Sequence, residues 1–323
     1  MQVVFKTTPH TRKFGVELEV SPTPHKNKIG LYLEDFELFY GTARTIRVTP
    51  GEKGWTDTHS NSYWHVKYDS TCGPKGKPHD SGWEIASFIG NTERDLEIIS
   101  GAADWLSDHG VKTNNNCGYH IHIDVSDFTS HQMAILIARW LKIEFAVMSA
   151  CPARRLNNLY CQFLNMRRIT QSAVYSPNNL LSFWEKMAPQ NLTNHDNPDK
   201  KYSVNTIGYR IGQISHPNYS RKTVEFRFPE CLMKSSHVEN WVRFLLCFVD
   251  DCSKAMPPED IQKSESMTEV LQLAGLQSLS EFFLLDEKLY STKIWFLQKI
   301  IAESPGTDYA KDAAELIAFI MKL

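Results

Sequence analysis

The stretch Cys117–Val125, CGYHIHIDV, sets His120 and His122 two residues apart inside an otherwise apolar run. Read as a strand, it turns both imidazoles to one face and Tyr119, Ile121 and Ile123 to the other. Two further stretches share the pattern. FGVELEV, residues 14–20, carries Glu17 and Glu19, and TVEFRFPE, residues 223–230, carries Glu225 and Arg227, each pair again at i and i+2 between apolar neighbours. GWEIASF, residues 82–88, adds Glu84 in the same kind of setting. Carboxylates partly buried on strands repel one another and take up protons unless a cation joins them. One polar basin on a sheet, where a magnesium nucleotide is held, accounts for all of them. Magnesium takes oxygen ligands in an octahedron shared with water and phosphate oxygens, and manganese accepts a similar set.

Outward from these strands the pattern predicts an α+β fold. Strands are expected at Phe14–Val20, Tyr63–Tyr68 and from Gly82, across the histidine stretch, within residues 201–214 and again in TVEFRF. Thr92 to His109 reads as an amphipathic helix. Thr92 and Asp95 resemble a capping box, Leu96, Ile99, Ala103 and Leu106 form the apolar stripe, and Gly110 closes it. Thr129 or Ser130 caps a second long helix ending near Ala150, and a strand followed by a helix twice over implies a sheet with helices on one face. Residues 21–62 read as an irregular insertion with a helix near Leu31 to Tyr40, and residues 191–200 as an exposed loop. Beyond Ser236 the pattern is helical, near Val238–Met256, Met267–Leu276, Leu279–Leu289, Thr292–Glu303 and Ala310–Met321. The expected organisation is a catalytic domain over residues 1–235 and a helical cap or subdomain over residues 236–323.

At 323 residues, 42% hydrophobic and 22% charged, the chain has the composition of an ordinary globular protein with ample material for a core. A formal net charge of −2 gives no electrostatic case for nucleic acid as the main partner. Arg154, Arg155, Arg167 and Arg168 could form a local anion-binding patch, or be solvated or paired with nearby acids. The N-terminus has no apolar core of signal-peptide length. The richest helix, Met133 to Ala150, is interrupted by Arg139, Lys142 and Glu144, so no membrane span is expected. Seven scattered cysteines, several in apolar segments, suit reduced thiols and a cytoplasmic location better than a disulfide framework.

FGVELEV, WHVKYDS, GWEIAS, CGYHIHIDV, KYSVN and TVEFRFPE, in this order and at this spacing, resemble the amidoligase family, whose members look like relatives of glutamine synthetase and glutamate-cysteine ligase. The resemblance covers about Phe14 to Glu230. It implies a glutamine synthetase-like fold, a curved antiparallel sheet backed by helices that binds ATP with two or three magnesium ions in its concave face. It implies metal ligands at Glu17, Glu19, Glu84, His120 and Glu225, with His122 near the nucleotide phosphates. Arg227 would contact the transferred phosphate, with Asn205 and Arg221 as further phosphate or substrate contacts; Arg210 is a cofactor-binding candidate by its position shortly before Glu225 and Arg227.

The implied reaction is an ATP-dependent ligation of a small-molecule or peptide carboxylate to an amine, through an acyl phosphate, with Glu17, Glu225 and Arg227 as the central catalytic residues. No protein nucleophile is needed, and the chain has neither a nucleophile-elbow motif nor a Walker loop. The amine must lose a proton. Asp69 is placed to take it, although a turn-capping aspartate is the simpler expectation at that position. Two other functions fit some of the residues: a zinc-dependent hydrolase using Cys117, His120 and His122, and an inactive nucleotide-binding module. The sequence is silent on oligomeric state.

Overall fold

The computed structural model describes residues 12–21, 28–42, 44–49, 62–73, 82–159, 161–164, 201–209, 222–254 and 290–320. Their contacts divide the chain into two compact units that interleave in sequence. A strand unit takes the described residues up to 123 together with 229–243, and a helix-rich unit takes those of 124–228 and from 244 onward. Among the described residues no helix is long and apolar enough to cross a membrane.

In the strand unit, β1 (Phe14–Val20), β2 (Thr45–Thr49), β3 (Tyr63–Asp69), β4 (Gly82–Ala86) and β5 (Tyr119–Asp124) line up in the order β2-β3-β4-β1-β5. All neighbours are antiparallel except β2 and β3. That parallel pair departs from the all-antiparallel expectation, and β2 itself lies where an irregular insertion was predicted. TIRVT is short, bounded by turn residues and mostly exposed, so its alternation gives little signal until β3 supplies a partner. The helix foreseen in the same segment is present as α1 (Ile29–Phe39). The α+β class therefore stands, with a mostly antiparallel sheet.

The apolar halves of the strands supply this unit's core. Val16, Leu18, Val20, Ile85, Ile121, Ile123, Trp64 and Val66 are all fully buried. Burying each large apolar side chain contributes about 1.5–3 kcal/mol. The helix α2 (Glu93–Asp108) brings Leu96, Ile99, Ala103 and Leu106 to the same interior, and the Thr92–Asp95 capping box is formed. At its C-terminal end Gly110 takes φ 81°, a left-handed conformation that side chains beyond glycine rarely adopt. Trp105 on α2 donates from Nε1 to the Tyr32 carbonyl at 2.9 Å, which ties α2 to α1. Residues 229–243 close the unit at β5: Tyr119 donates its N–H to the Pro229 carbonyl at 3.1 Å and its hydroxyl to the Val238 carbonyl at 3.1 Å. Arg243 then holds Glu93 through two hydrogen bonds, of 2.5 and 3.0 Å.

The helix-rich unit contains α3 (Ser130–Met148), α4 (Ala153–Leu156), the short ladder of β6 (Val204–Asn205) with β7 (Thr223–Phe226), α6 (Tyr290–Glu303) and α7 (Asp308–Ile320). It also holds the C-terminal part of α5 (Ser235–Lys254). The helices predicted at 267–276 and 279–289 and the loop at 191–200 lie outside the described residues. Thr129 caps α3 through a second capping box, with Gln132. Trp140 packs its ring against Phe226, Phe228 and Phe248. Beneath it Glu144 is completely buried and accepts hydrogen bonds from Trp140 Nε1 at 3.2 Å, from the Leu164 N–H at 2.7 Å and from the Ser203 hydroxyl. Glu144→Ala strands the Leu164 N–H and frees the Ser203 hydroxyl in an apolar interior, while Trp140 Nε1 keeps the Ser203 oxygen at 3.1 Å, and each stranded group costs about 1–3 kcal/mol. We expect it to lower stability by about 3 kcal/mol or more in chemical denaturation, whereas exposed Glu315→Ala should be neutral.

Candidate active site

Alternation leaves one face of the strand unit's sheet polar. Register aligns Lys67 with Glu84 and Glu84 with Glu19 in one row, and His65 with Ala86, Ala86 with Glu17 and Glu17 with His120 in the next. His122 follows, opposite Gly15. Glycine or alanine occupies the gaps, at Gly15, Gly82, Ala86 and Gly118, so the acidic and imidazole side chains share the face with little competing bulk.

Glu17, Glu19 and Glu84 are each only 6% exposed and His120 4%. The burial pattern of β1 shows no solvent-facing residue at all. Three carboxylates in such a setting require compensation. Glu17 lies 3.1 Å from His120 Nδ1 and 3.5 Å from His122 Nε2. His120 Nε2 faces Glu19 at 3.3 Å, and the other Glu19 oxygen accepts the Gly118 N–H at 2.5 Å. Lys67 pairs with Glu84 at 2.5 Å.

The electrostatic consequences separate the acids. Burial pushes Glu17 up, but the charges of His122 and Lys67 and the hydrogen bonds from His120 and His122 prevail and hold it well below the usual carboxylate range. Glu84 goes the other way: burial raises it well above that range, with the charge of Glu17 adding and Lys67 opposing. Lys67 is depressed by burial yet held above its ordinary value by Glu84 and Glu17. Two nearby carboxylates driven apart in this way repel each other, and Lys67 is the cation that opposes the rise at Glu84.

One oxygen each from Glu17 and Glu84 and one nitrogen of His120 lie within 4.8 Å of one another. Both ring nitrogens of His120 face carboxylates, yet a neutral imidazole donates from only one of them. An imidazolium donating from both nitrogens, or a cation at one of them, meets both contacts. The donor set, hard oxygens with one imidazole, fits magnesium or manganese. Glu19 also belongs to a second grouping with Asp69 and Cys72. Asp69 accepts from the Thr71 N–H at 2.7 Å and caps the 3-10 turn of residues 70–72, as the simpler expectation had it. Cys117, a candidate zinc ligand, accepts the Asn114 N–H at 3.3 Å and interacts with the thiol of Cys72. All seven cysteines are free thiols.

The helix-rich unit holds the other predicted residues, which form a group of their own. Asn205 and Glu225 are register partners, and Asn205 Nδ2 donates to Glu225 at 2.6 Å while Arg227 pairs with the second carboxylate oxygen. Arg155, expected on the surface, is 3% exposed and donates to the carbonyls of Arg227 at 2.7 Å and Phe228 at 3.3 Å, which fixes the end of β7. Arg210, Arg221, Arg167 and Arg168 lie outside the described residues.

A family model described as "Putative amidoligase enzyme" matches residues 10–249. The chain belongs to the amidoligase family. No curated protein matches it. The match spans every predicted site residue, those of β1, β4 and β5 together with Asn205, Glu225 and Arg227. It also spans two amidoligase residues on the polar face that sequence reasoning did not single out, Lys67 and His65. Their signal was the alternation of YWHVKY, which puts both on one side of β3, but nothing in it reveals that Lys67 lands opposite Glu84.

Lys67 is the cation paired with Glu84 on this sheet face. Lys67→Met removes a like charge from the neighbourhood of any metal that Glu84 binds. Magnesium is therefore expected to bind about tenfold more tightly by titration calorimetry. Weaker binding in the variant would instead mean that Lys67 holds Glu84 in its ligating position.

Proposed function

We propose that this amidoligase is an ATP-dependent carboxylate-amine ligase. The observation that carries the proposal is the set Glu17, Glu19, Glu84 and His120, all buried, with half-buried His122, on one sheet face of a chain in this family. Such a set is costly to keep for stability alone. In the proposed reaction a substrate carboxylate oxygen attacks the γ-phosphorus of ATP, and the bond to ADP breaks. The amine nitrogen then attacks the acyl carbon, phosphate leaves with the C–O bond's electrons, and the amine's proton passes to a base.

Glu17, Glu84 and His120 would hold the divalent cation, with Glu19 supporting His120 from its far nitrogen. A cation bound there offsets phosphate charge as the phosphoryl group transfers. Within this frame His122 orients Glu17; in the helix-rich unit, taken by itself, the Arg227 guanidinium is a fork suited to phosphate oxygens. Asn205 and Glu225 fix that fork. The substrates are a small-molecule or peptide acid and an amine.

The test is incubation with ATP, magnesium and pools of acids and amines, read by mass spectrometry. Expected are ADP and a product lighter than its two parents by one water. Stoichiometric zinc in the purified protein, with no ADP under any amine supply, would favour the hydrolase instead. Magnesium alone should also act on the fold. At a hundred times its dissociation constant it is expected to stabilise the protein by about 2.7 kcal/mol, and chelation should reverse the gain.

A further inference from the structure

His65 is 1% exposed and on the same sheet face as the acids, with only Ala86 of β4 between it and Glu17 in the register. Its Nε2 lies 2.8 Å from the Thr49 hydroxyl on β2, while its Nδ1 has no hydrogen-bond partner among the described residues. A buried polar atom left without a partner is rare in a native protein and costly, so it points to something bound. The neighbourhood says what. Arg47 is the register partner of His65 on β2, with its guanidinium 5.9 Å from the Tyr63 ring, and Lys67 follows two residues along on the same side of β3. Burial, then Lys67 and Arg47, hold the imidazole below its ordinary pKa against the opposing charge of Glu17, and therefore neutral.

A neutral imidazole between two cations does not serve as a base, because its protonated form would face both of them. It is suited to act as an N–H donor: where the Thr49 hydroxyl donates to Nε2, the ring proton is carried on Nδ1. Lys67 spends one of its three N–H donors on Glu84. We infer that Arg47, His65 and Lys67 form an oxyanion-binding subsite at the β2–β3 side of the acidic face. Two strand spacings, roughly 10 Å, separate β3 from β1, which leaves room for a ligand that reaches from this subsite to the acids. The identity of that ligand rests on the ligase proposal: a second carboxylate of the acid substrate, or the phosphate tail of the nucleotide.

The experiment uses the full chain with 15N-labelled histidine and needs no turnover, so it stands even if no ligase product is found. The His65 resonances are expected to report the Nδ1–H tautomer and to move on titration with inorganic phosphate, with succinate, or with both. Movement with phosphate alone assigns the nucleotide tail, and movement with succinate alone assigns the substrate carboxylate. Arg47→Gln, on an exposed strand residue whose replacement spares the core, should weaken the responding anion about tenfold, and Lys67→Met should weaken it similarly. The subsite is overturned if neither anion moves the His65 signals, or if Arg47→Gln binds the anion as the unaltered protein does.

Discussion

Glu17→Gln is expected to abolish ADP formation, by a factor of at least about 10³, while the circular dichroism spectrum stays that of the unaltered protein. The substitution keeps size and hydrogen-bonding shape and removes only charge. Glu17 is where the site's electrostatics converge: His120 at 3.1 Å, His122 at 3.5 Å and the charge of Lys67 all act on it. In the proposed ligase the cation would then lose a ligand, and both imidazoles lose the group that orients them. Several kcal/mol of charge stabilisation in phosphoryl transfer correspond to the stated factor. Titration calorimetry separates the causes, since magnesium affinity should fall alongside turnover. Turnover within tenfold of the unaltered enzyme would remove Glu17 from the chemistry.

Arg227→Lys is expected to cut turnover by about 10²-fold with little change in stability. A lysine keeps the charge but not the planar fork, and at a site reading phosphate oxygens the two are not equivalent. The backbone at Arg227 is fixed by Arg155 on its carbonyl, and the side chain is fixed by Glu225, itself held by Asn205. Glu225→Ala should therefore lose ADP release as well, because it releases the guanidinium from its position. If Arg227→Lys turns over normally, the Arg227–Glu225 pair is a neutralising contact at the end of β7 and no more.

Much of this was legible in the chain because strand alternation is a local rule. FGVELEV, GWEIA and YHIHID were read as strands from their own residues, and each carries its chemistry on the side that alternation assigns. The capping boxes at Thr92 and Thr129 were equally local, since a side chain reaching three residues along depends on nothing else. The strand β2 was missed for the opposite reason. Five residues, three of them exposed, gain strand character only from pairing with β3, and pairing is a property of two segments. Arg155 was misjudged in the same way: its burial is set by carbonyls more than seventy residues later in the sequence.

The sequence by itself determined which residue types face one way on each strand, and hence that acids and imidazoles lie on polar faces. It also determined the family, because six short motifs keep their order. Only the tertiary structure decided which of them are neighbours. Register is a long-range property in which a shift of one residue exchanges the two faces. That register puts Lys67 opposite Glu84, His120 between two glutamates, and His65 beside Arg47 with a nitrogen to spare. Charge interactions fall off over a few ångströms, so the chemistry of this face is fixed by those pairings and not by the order of residues along the chain.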